Sequence, residues 1–534
     1  MIITAVNRVN AYIPAPAVIP DVIAQNRYRR SIGSLIAVRK RTIDNAPTIP
    51  SEVITPNNPP TGWGILGDIY SRGWQRTDNT NNFLSFFATF AYSFKNRYVV
   101  NANVRNDASN VFGQDINHRI DPTYSFGLSW RASEEAFFQK HLKWITTLNF
   151  RGTFGIQGNA LTRESPELIL SQQGVQPGYN RYFSTIGQIP NPYLSWERTR
   201  NWNFGVDLEL FRMFYMNLEY YTRRSNAVIT VDLPFEYGID DMKRNGGIIY
   251  NRGIEYTLSF TPIQKRDFSL NINLNASKNW NKGGETKIDR NTAMYLRGGS
   301  TQILKEGYPL SAFWSYSFAG LDGSNGKPMF NYVEVPDEEK SKSIDPTTYL
   351  VYSGETEPYF TGGLGFSFRY KSLSLNTSFS LLLGSKKRLP SPYSDFQGSG
   401  SMMPDPTKNV NRDLLNRWQK PGDEVYTNIP GLPTWPIEIG WTLPNTDSAE
   451  SAIEMWEKSD AMVVSGSFLR CRNIGLSWQM KKEWCDKIHA KNLAINFNMD
   501  NIFVIASKRF NGFDPELENS IMPRSFSLGL NIGF

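Results

Sequence analysis

The chain has 534 residues and a formal charge of +7, with Lys and Arg scattered along it, so nucleic-acid binding gains no support. Aromatic residues make up 13%, yet mean hydropathy is −0.42 and no run of about 18 apolar residues occurs, which argues against helical membrane spans. Two cysteines, Cys471 and Cys485, are too few for a disulfide scaffold and read as free thiols, with their pairing left open.

Strands that cross a bilayer alternate and escape that hydropathy test. The opening MIITAVNRVNAYIPAPAVIP has neither a basic n-region nor a sustained apolar stretch, so it does not read as a signal peptide. Residues 1–80 read as an irregular, Pro-rich segment with one or two barrel strands, for example around SIGSLIAVRK at 31–40. From Phe83 the pattern changes. NRYVVNANVRND sets Tyr98, Val100, Ala102 and Val104 against Asn101, Asn103 and Arg105. TYSFGLSW sets Tyr124, Phe126, Leu128 and Trp130 against Thr123, Ser125, Gly127 and Ser129. NWNFGVDLEL, FSLNINLNAS, SLSLNTSFSLLL and NLAINFNMDN repeat it. A period of two gives each strand one apolar and one polar face.

Thirteen segments follow this rule, at 83–94, 97–105, 123–131, 144–156, 201–211, 213–223, 253–261, 267–278, 361–370, 373–383, 467–479, 491–501 and 524–534. Their connections alternate short and long: 95–96 then 106–122, Arg212 alone then 224–252, 371–372 then 384–466. Tight turns at one rim and long loops at the other are what a membrane meander needs. The pattern predicts an all-β, transmembrane, antiparallel up-and-down β-barrel of 13–15 strands, with short periplasmic turns. Its large extracellular loops fall at 157–200, 224–252, 279–360 and 384–466. A soluble β-rich binding protein is the rival architecture, but it has no reason to keep every second loop short.

The last segment, RSFSLGLNIGF, places Phe526, Leu528, Leu530, Ile532 and Phe534 on one face. The loop before it is long, so this strand descends and the C-terminus lies in the periplasm.

NPYLSWERTRNWNFGVDLELF, at 191–211, resembles the NP-x-L-x-W-E…N-x-G-x-D stretch of SusC/RagA-type TonB-dependent outer-membrane transporters. Further family-like blocks follow in order: GTFGIQGNA (152–160), NRGIE (251–255), LKEGYPLSAFW (304–314), TGGLGFSFRYKSLSL (361–375), FLRCRNIGLSW (468–478), FDPE (513–516) and PRSFSLGLNIGF (523–534). One block departs from the family's R-x-D-G-S-S-R-F-G: RNDASNVFG keeps Arg105, Asp107, Ser109, Phe112 and Gly113 but has Ala108, Asn110 and Val111. The resemblance implies import of oligosaccharides or peptides across the outer membrane of a Gram-negative bacterium. It implies a SusD-like lipoprotein at the outer loops and the TonB–ExbB–ExbD complex acting through a plug. It also implies barrel-assembly machinery that reads a final strand ending in an aromatic, here Phe526 to Phe534. The family barrel has about 22 strands. No plug, TonB box or signal peptide is recognisable in this chain. It therefore reads as the C-terminal part of a transporter, not competent alone, whether from a truncated gene model, a split gene or a fragment. Rival readings are a siderophore or cobalamin receptor and a non-functional remnant.

No catalytic constellation appears, and no cofactor is implied. His118, His141 and His489 are far apart and in no metal-ligand spacing, and there is no HExxH, P-loop or G-x-S-x-G. Glu134 and Glu135, in SEEAFFQKHL, read as solvated charges beside a short periplasmic helix. The candidate substrate contacts are loop aromatics: Tyr193, Trp196, Tyr237, Trp314, Tyr316, Trp435 and Trp441. The alternative is that they pack the loops or join the upper girdle. The inner faces carry Asn271, Asn273, Asn275, Ser374, Asn376 and Ser378, which suit contact with a plug or a polar solute path.

Overall fold

The computed structural model describes residues 29–32, 36–45, 76–109, 120–159, 167–176, 179, 181–233, 235–239, 241–286, 293–298, 304–331, 346–393, 409–432, 452–517 and 520–534. All thirteen alternating segments are strands in it. The main sheet has 15 strands. In chain order they are β1 (Arg29–Ile32), β2 (Ile36–Asn45), β3 (Arg76–Phe94), β4 (Tyr98–Ser109) and β5 (Ile120–Arg131). Next come β6 (Ile145–Asn159), β7 (Glu197–Leu210), β8 (Phe214–Asp232), β9 (Asp241–Gln264) and β10 (Phe268–Gly283). The last are β11 (Phe360–Tyr370), β12 (Leu373–Leu383), β13 (Phe468–Gln479), β14 (Asn492–Ala506) and β15 (Ser525–Gly533).

From β3 to β15 each strand is antiparallel to the next in the chain, as an up-and-down meander requires. β1 and β2 both lie along β3, pairing near Ala88–Ala91 and with Arg76–Ser85 respectively. Among the described residues β15 pairs only with β14, so the sheet has two free edges.

At the short-turn rim, Lys95 and Asn96 (φ 51° and 56°) and Phe211 and Arg212 (φ 53° and 58°) are left-handed pairs. Two consecutive positive φ angles match the right-handed twist of a tight hairpin. The ring of Phe211 is repaid for this backbone by stacking on Trp144, with centroids 5.7 Å apart. A row of aromatics crosses the outer face just above: Phe94 opposite Tyr98, then Trp130, then Phe150. All four are exposed to the surroundings, as in the interfacial girdle of a membrane barrel.

Several boundaries differ from expectation. The strand expected to begin at Phe83 begins at Arg76, while two strands, Arg29–Ile32 and Ile36–Asn45, lie where one or two were expected around 31–40. The expected loop 224–252 is mostly a paired hairpin: β8 and β9 stay paired out to Asp232 opposite Asp241, with one register shift between Ala227 and Val228. Loop 157–200 carries a hairpin of its own, Ile169–Gln176 with Arg181–Gln188. Glu135 is not simply solvated. It accepts hydrogen bonds from the Tyr98 hydroxyl (2.6 Å) and Trp130 Nε1 (3.3 Å) and pairs with Arg97 (3.0 Å). The Tyr98 hydroxyl, above all, holds its carboxyl below the usual range. This clamp ties the helix Ala136–His141 to the short-turn rim.

The inner face is polar and internally bonded. Arg151 bridges Asp207 (3.2 Å) and Glu219 (2.9 Å), while Asn217 and Asn203 donate to the same two carboxylates. Tyr221 shows why NRGIE needs its glycine. It stands opposite Gly253, and a Cβ there would fall 2.4 Å from the Tyr221 ring. The ring cannot swing away without breaking its hydroxyl bond to Asn279 (3.2 Å).

Candidate functional site

The buried apolar core of the described residues is not in the wall. It lies in the outer loops and unites Leu296, Trp314, Tyr316 and Phe330 from one long loop with Tyr393, Met455 and Trp456 from the next. Trp314 sits edge-on to Tyr308 (4.9 Å) and Tyr352 (5.4 Å), and Tyr393 is edge-on to Trp456 (6.1 Å). Short strand pairs frame it: Ala312–Tyr316 with Leu350–Glu355, and Lys386–Arg388 with Val463–Ser465.

Two arginines, Arg297 buried and Arg388 half-buried, stitch the loops together. Arg388 donates to the carbonyls of Arg297 (3.0 Å) and Trp314 (3.2 Å) and to Ser315 Oγ (3.1 Å). Its guanidinium lies 5.1 Å over the Phe313 ring. Burial, then the nearby Arg297 charge, lowers its pKa to about 10, so it stays protonated at neutral pH. Arg297 donates to the Tyr316 hydroxyl (2.9 Å).

The last outer loop joins the same body. FDPE contributes Asp514, which accepts Arg470 Nη2 through both oxygens at 2.6 Å. Glu516 lies 2.9 Å from Arg470 Nε and accepts Arg472 Nη2 at 2.7 Å. Arg470, in FLRCRNIGLSW, is 2% exposed. These two blocks were legible separately, but nothing in a separation of 44 residues says that they meet. Arg509 then donates to the carbonyls of Val463 (2.8 Å) and Ala461.

The body is seated on the wall. Asn281 accepts from the Leu310 amide (2.7 Å), and Gly283 donates to the Tyr308 carbonyl (2.7 Å). NPYLSWE is a second seat. Asn245 exchanges two 2.8 Å hydrogen bonds with the Ser195 backbone, Asn191 donates to the Lys243 carbonyl (2.7 Å), and Glu197 accepts the Val228 amide (2.9 Å). Between wall and loops lies a cavity of about 570 Å³, walled by Glu197, Thr199, Ser225 and Asn226 and roofed by Tyr295 and Leu304.

The candidate aromatics divide. Tyr193 and Tyr237 are 75% and 58% exposed, on the NPYLSWE turn and beyond the tip of β8. Trp196, Trp314 and Tyr316 are buried, and their rings build the loop core and its seat, the loop-packing alternative. Trp435 and Trp441 lie outside the described residues. The inner-face residues Asn271 and Asn273 bond to each other and Asn271 bonds to Ser259 and Thr261, within the wall. Among the described residues no cluster of His, Cys, Asp and Glu has metal-binding geometry. Cys471 and Cys485 are both free and buried.

An antiparallel wall with a lipid-facing aromatic face, a polar inner face and an ordered loop body at one rim defines an outer-membrane β-barrel protein. Residues 44–381 match the family described as TonB dependent receptor-like, beta-barrel, and the chain belongs to that family. Its members are transporters of the outer membrane, not enzymes. The TonB-dependent receptor SusC of Bacteroides thetaiotaomicron is 25% identical over 486 residues, covering 85% of this chain and 44% of that protein. The TonB-dependent receptor P39 of Formosa agariphila is 25% identical over 484 residues, covering 84% and 45%. A solved structure described as the RagAB peptide transporter superposes with a TM-score of 0.66 at 22% identity, covering 86% of this chain and 48% of that one. The SusC/RagA-type resemblance of the sequence blocks thus agrees with these relatives, and the chain spans about half their length.

Proposed function

We propose that this chain forms the wall and outer-loop body of a TonB-dependent nutrient importer that takes up oligosaccharides or peptides with a SusD-like lipoprotein. The observation that carries the reading is the loop body itself. Two long loops share a buried aromatic core, and arginine contacts tie a third to them, which gives a preorganised surface for a partner to close against. The resemblance to SusC and RagA supports the pairing, the RagAB peptide transporter supports peptides as one substrate class, and oligosaccharides rest on the sequence resemblance alone. Energy would enter through a plug coupled to TonB–ExbB–ExbD, and the polar inner face is suited to contact it. A tagged chain purified from outer membranes should bring a surface lipoprotein with it. Cells lacking the gene should lose growth on an oligosaccharide or a peptide source. Undiminished growth on both, with no lipoprotein recovered, would exclude the reading.

In the same reading the long loops face outward, β15 ends in the periplasm, and Phe526 to Phe534 form the insertion signal. Phe526, Leu528, Leu530, Ile532 and the adjoining Phe534 are exposed, and among the described residues the strand is paired on one side only. Deleting Phe534 should lower the amount of chain recovered in outer membranes without changing its synthesis. Equal recovery would remove the signal role.

A further inference from the structure

We propose that the lipid-facing side of β7–β10 binds the phosphate groups of an anionic lipid in the outer leaflet, through Arg200, Arg224, Arg252, Lys278 and Lys282. The inference rests on the outer-membrane reading, with the long loops outside.

The register of the four strands lays out the outer face row by row. Starting at the short-turn rim, the rows are Leu210–Phe214–Phe260–Ile272, Leu208–Met216–Leu258–Leu274 and Val206–Leu218–Tyr256–Ala276. None of these side chains is charged. The next rows toward the loops are Phe204–Tyr220–Ile254–Lys278, Trp202–Thr222–Arg252–Trp280 and Arg200–Arg224–Tyr250–Lys282. Within the span of these rows the acids are Asp207, Glu209, Glu219 and Glu255, and they stand at the alternate positions and face inward. The outer rows therefore pass from hydrocarbon-compatible side chains, through aromatics, to cations with no carboxylate among them. That is the polarity sequence of a bilayer from core to headgroup.

All five cations are exposed, and none forms an ion pair among the described residues. Arg224 lies 5.9 Å over the Tyr250 ring and Lys278 lies 4.9 Å over that of Trp280, which orients both heads without neutralising them. Arg198, one row further on, differs: it is paired with the buried Asp121 at 2.6 Å. Arg200 stands directly opposite Arg224, an arrangement that is destabilising between strands unless an anion lies between the heads. Strand and residue spacings confine the five to a patch about 14 Å on a side, the scale of one phosphorylated headgroup. Guanidinium forks also match phosphate oxygens.

The test uses the full chain extracted from outer membranes in neutral detergent and offered mixed micelles of phosphatidylcholine with diphosphoryl lipid A. Lipid retained per chain is counted by native mass spectrometry. Wild type should retain diphosphoryl lipid A in preference to phosphatidylcholine. Changing Arg200, Arg224 and Lys282 together to Gln should weaken retention about fivefold per charge, on the order of 100-fold in all. Lipid A stripped of both phosphates should bind like the triple variant, and inorganic phosphate should not displace the intact lipid. Equal retention by wild type and triple variant, equal retention of the stripped lipid, or displacement by inorganic phosphate would each overturn the lipid site while leaving the transporter reading intact. Failure to find the chain in outer membranes at all would overturn both.

Discussion

Asp514→Ala should destabilise the chain by about 3–5 kcal/mol, because it strands a buried arginine. Arg470 is 2% exposed, and both Asp514 oxygens accept its Nη2. Glu516 stays beside it, but that carboxylate is already shared with Arg472, which itself is anchored to Ser380 (2.9 Å). The loss should appear as a lower unfolding midpoint in detergent and as proteolytic nicking between β14 and β15. A buried ion pair need not add net stability over apolar replacements of similar size. The double change Arg470→Met with Asp514→Leu should therefore recover much of what the single change loses. An unaltered midpoint for Asp514→Ala would show that the clamp does not hold the loop.

Trp314→Ala should cost about 3–5 kcal/mol through the cavity it leaves. The loss should be confined largely to the outer loops. Trp314 is 2% exposed and sits edge-on to Tyr308 and Tyr352, and its carbonyl accepts Arg388. Limited proteolysis should cut 304–331 in the variant and spare it in the wild type, and lipoprotein pairing should weaken with it. Tyr193→Ala provides the contrast, since that ring is 75% exposed and its removal should leave proteolysis unchanged. If Trp314→Ala stays resistant to protease and pairs normally yet fails in uptake, Trp314 contacts substrate after all.

The two variants also mark where reading residues in order stops working. Tyr193, Trp196, Trp314 and Tyr316 look alike in sequence, each an aromatic in a long connection with nothing local to say whether it is covered. Their environments differ because Trp314 is covered by Tyr308 and Tyr352, and Trp196 by the seat that Asn191 and Asn245 pin onto β9. The hairpin β8–β9 outruns its sequence alternation for a related reason. Beyond Asn226 its strands are held by pairing with each other, so the lipid-driven alternation that marks a strand is weaker there. FDPE and FLRCRN were visible as separate blocks, and their partnership was not.

The sequence by itself determined the meander: thirteen strands, their order, the alternation of short and long connections and which face of each strand is apolar. Lipid on one side and a polar interior on the other impose a period of two on every membrane-crossing strand, and that constraint is local enough to be written residue by residue. Only the tertiary structure decided where the buried core lies, which aromatics are available to a partner or solute, which carboxylates answer which arginines, and that the unpaired cations of four strands share one outer patch. Each of these depends on side chains that are distant along the chain and close in space, and no local period carries that information.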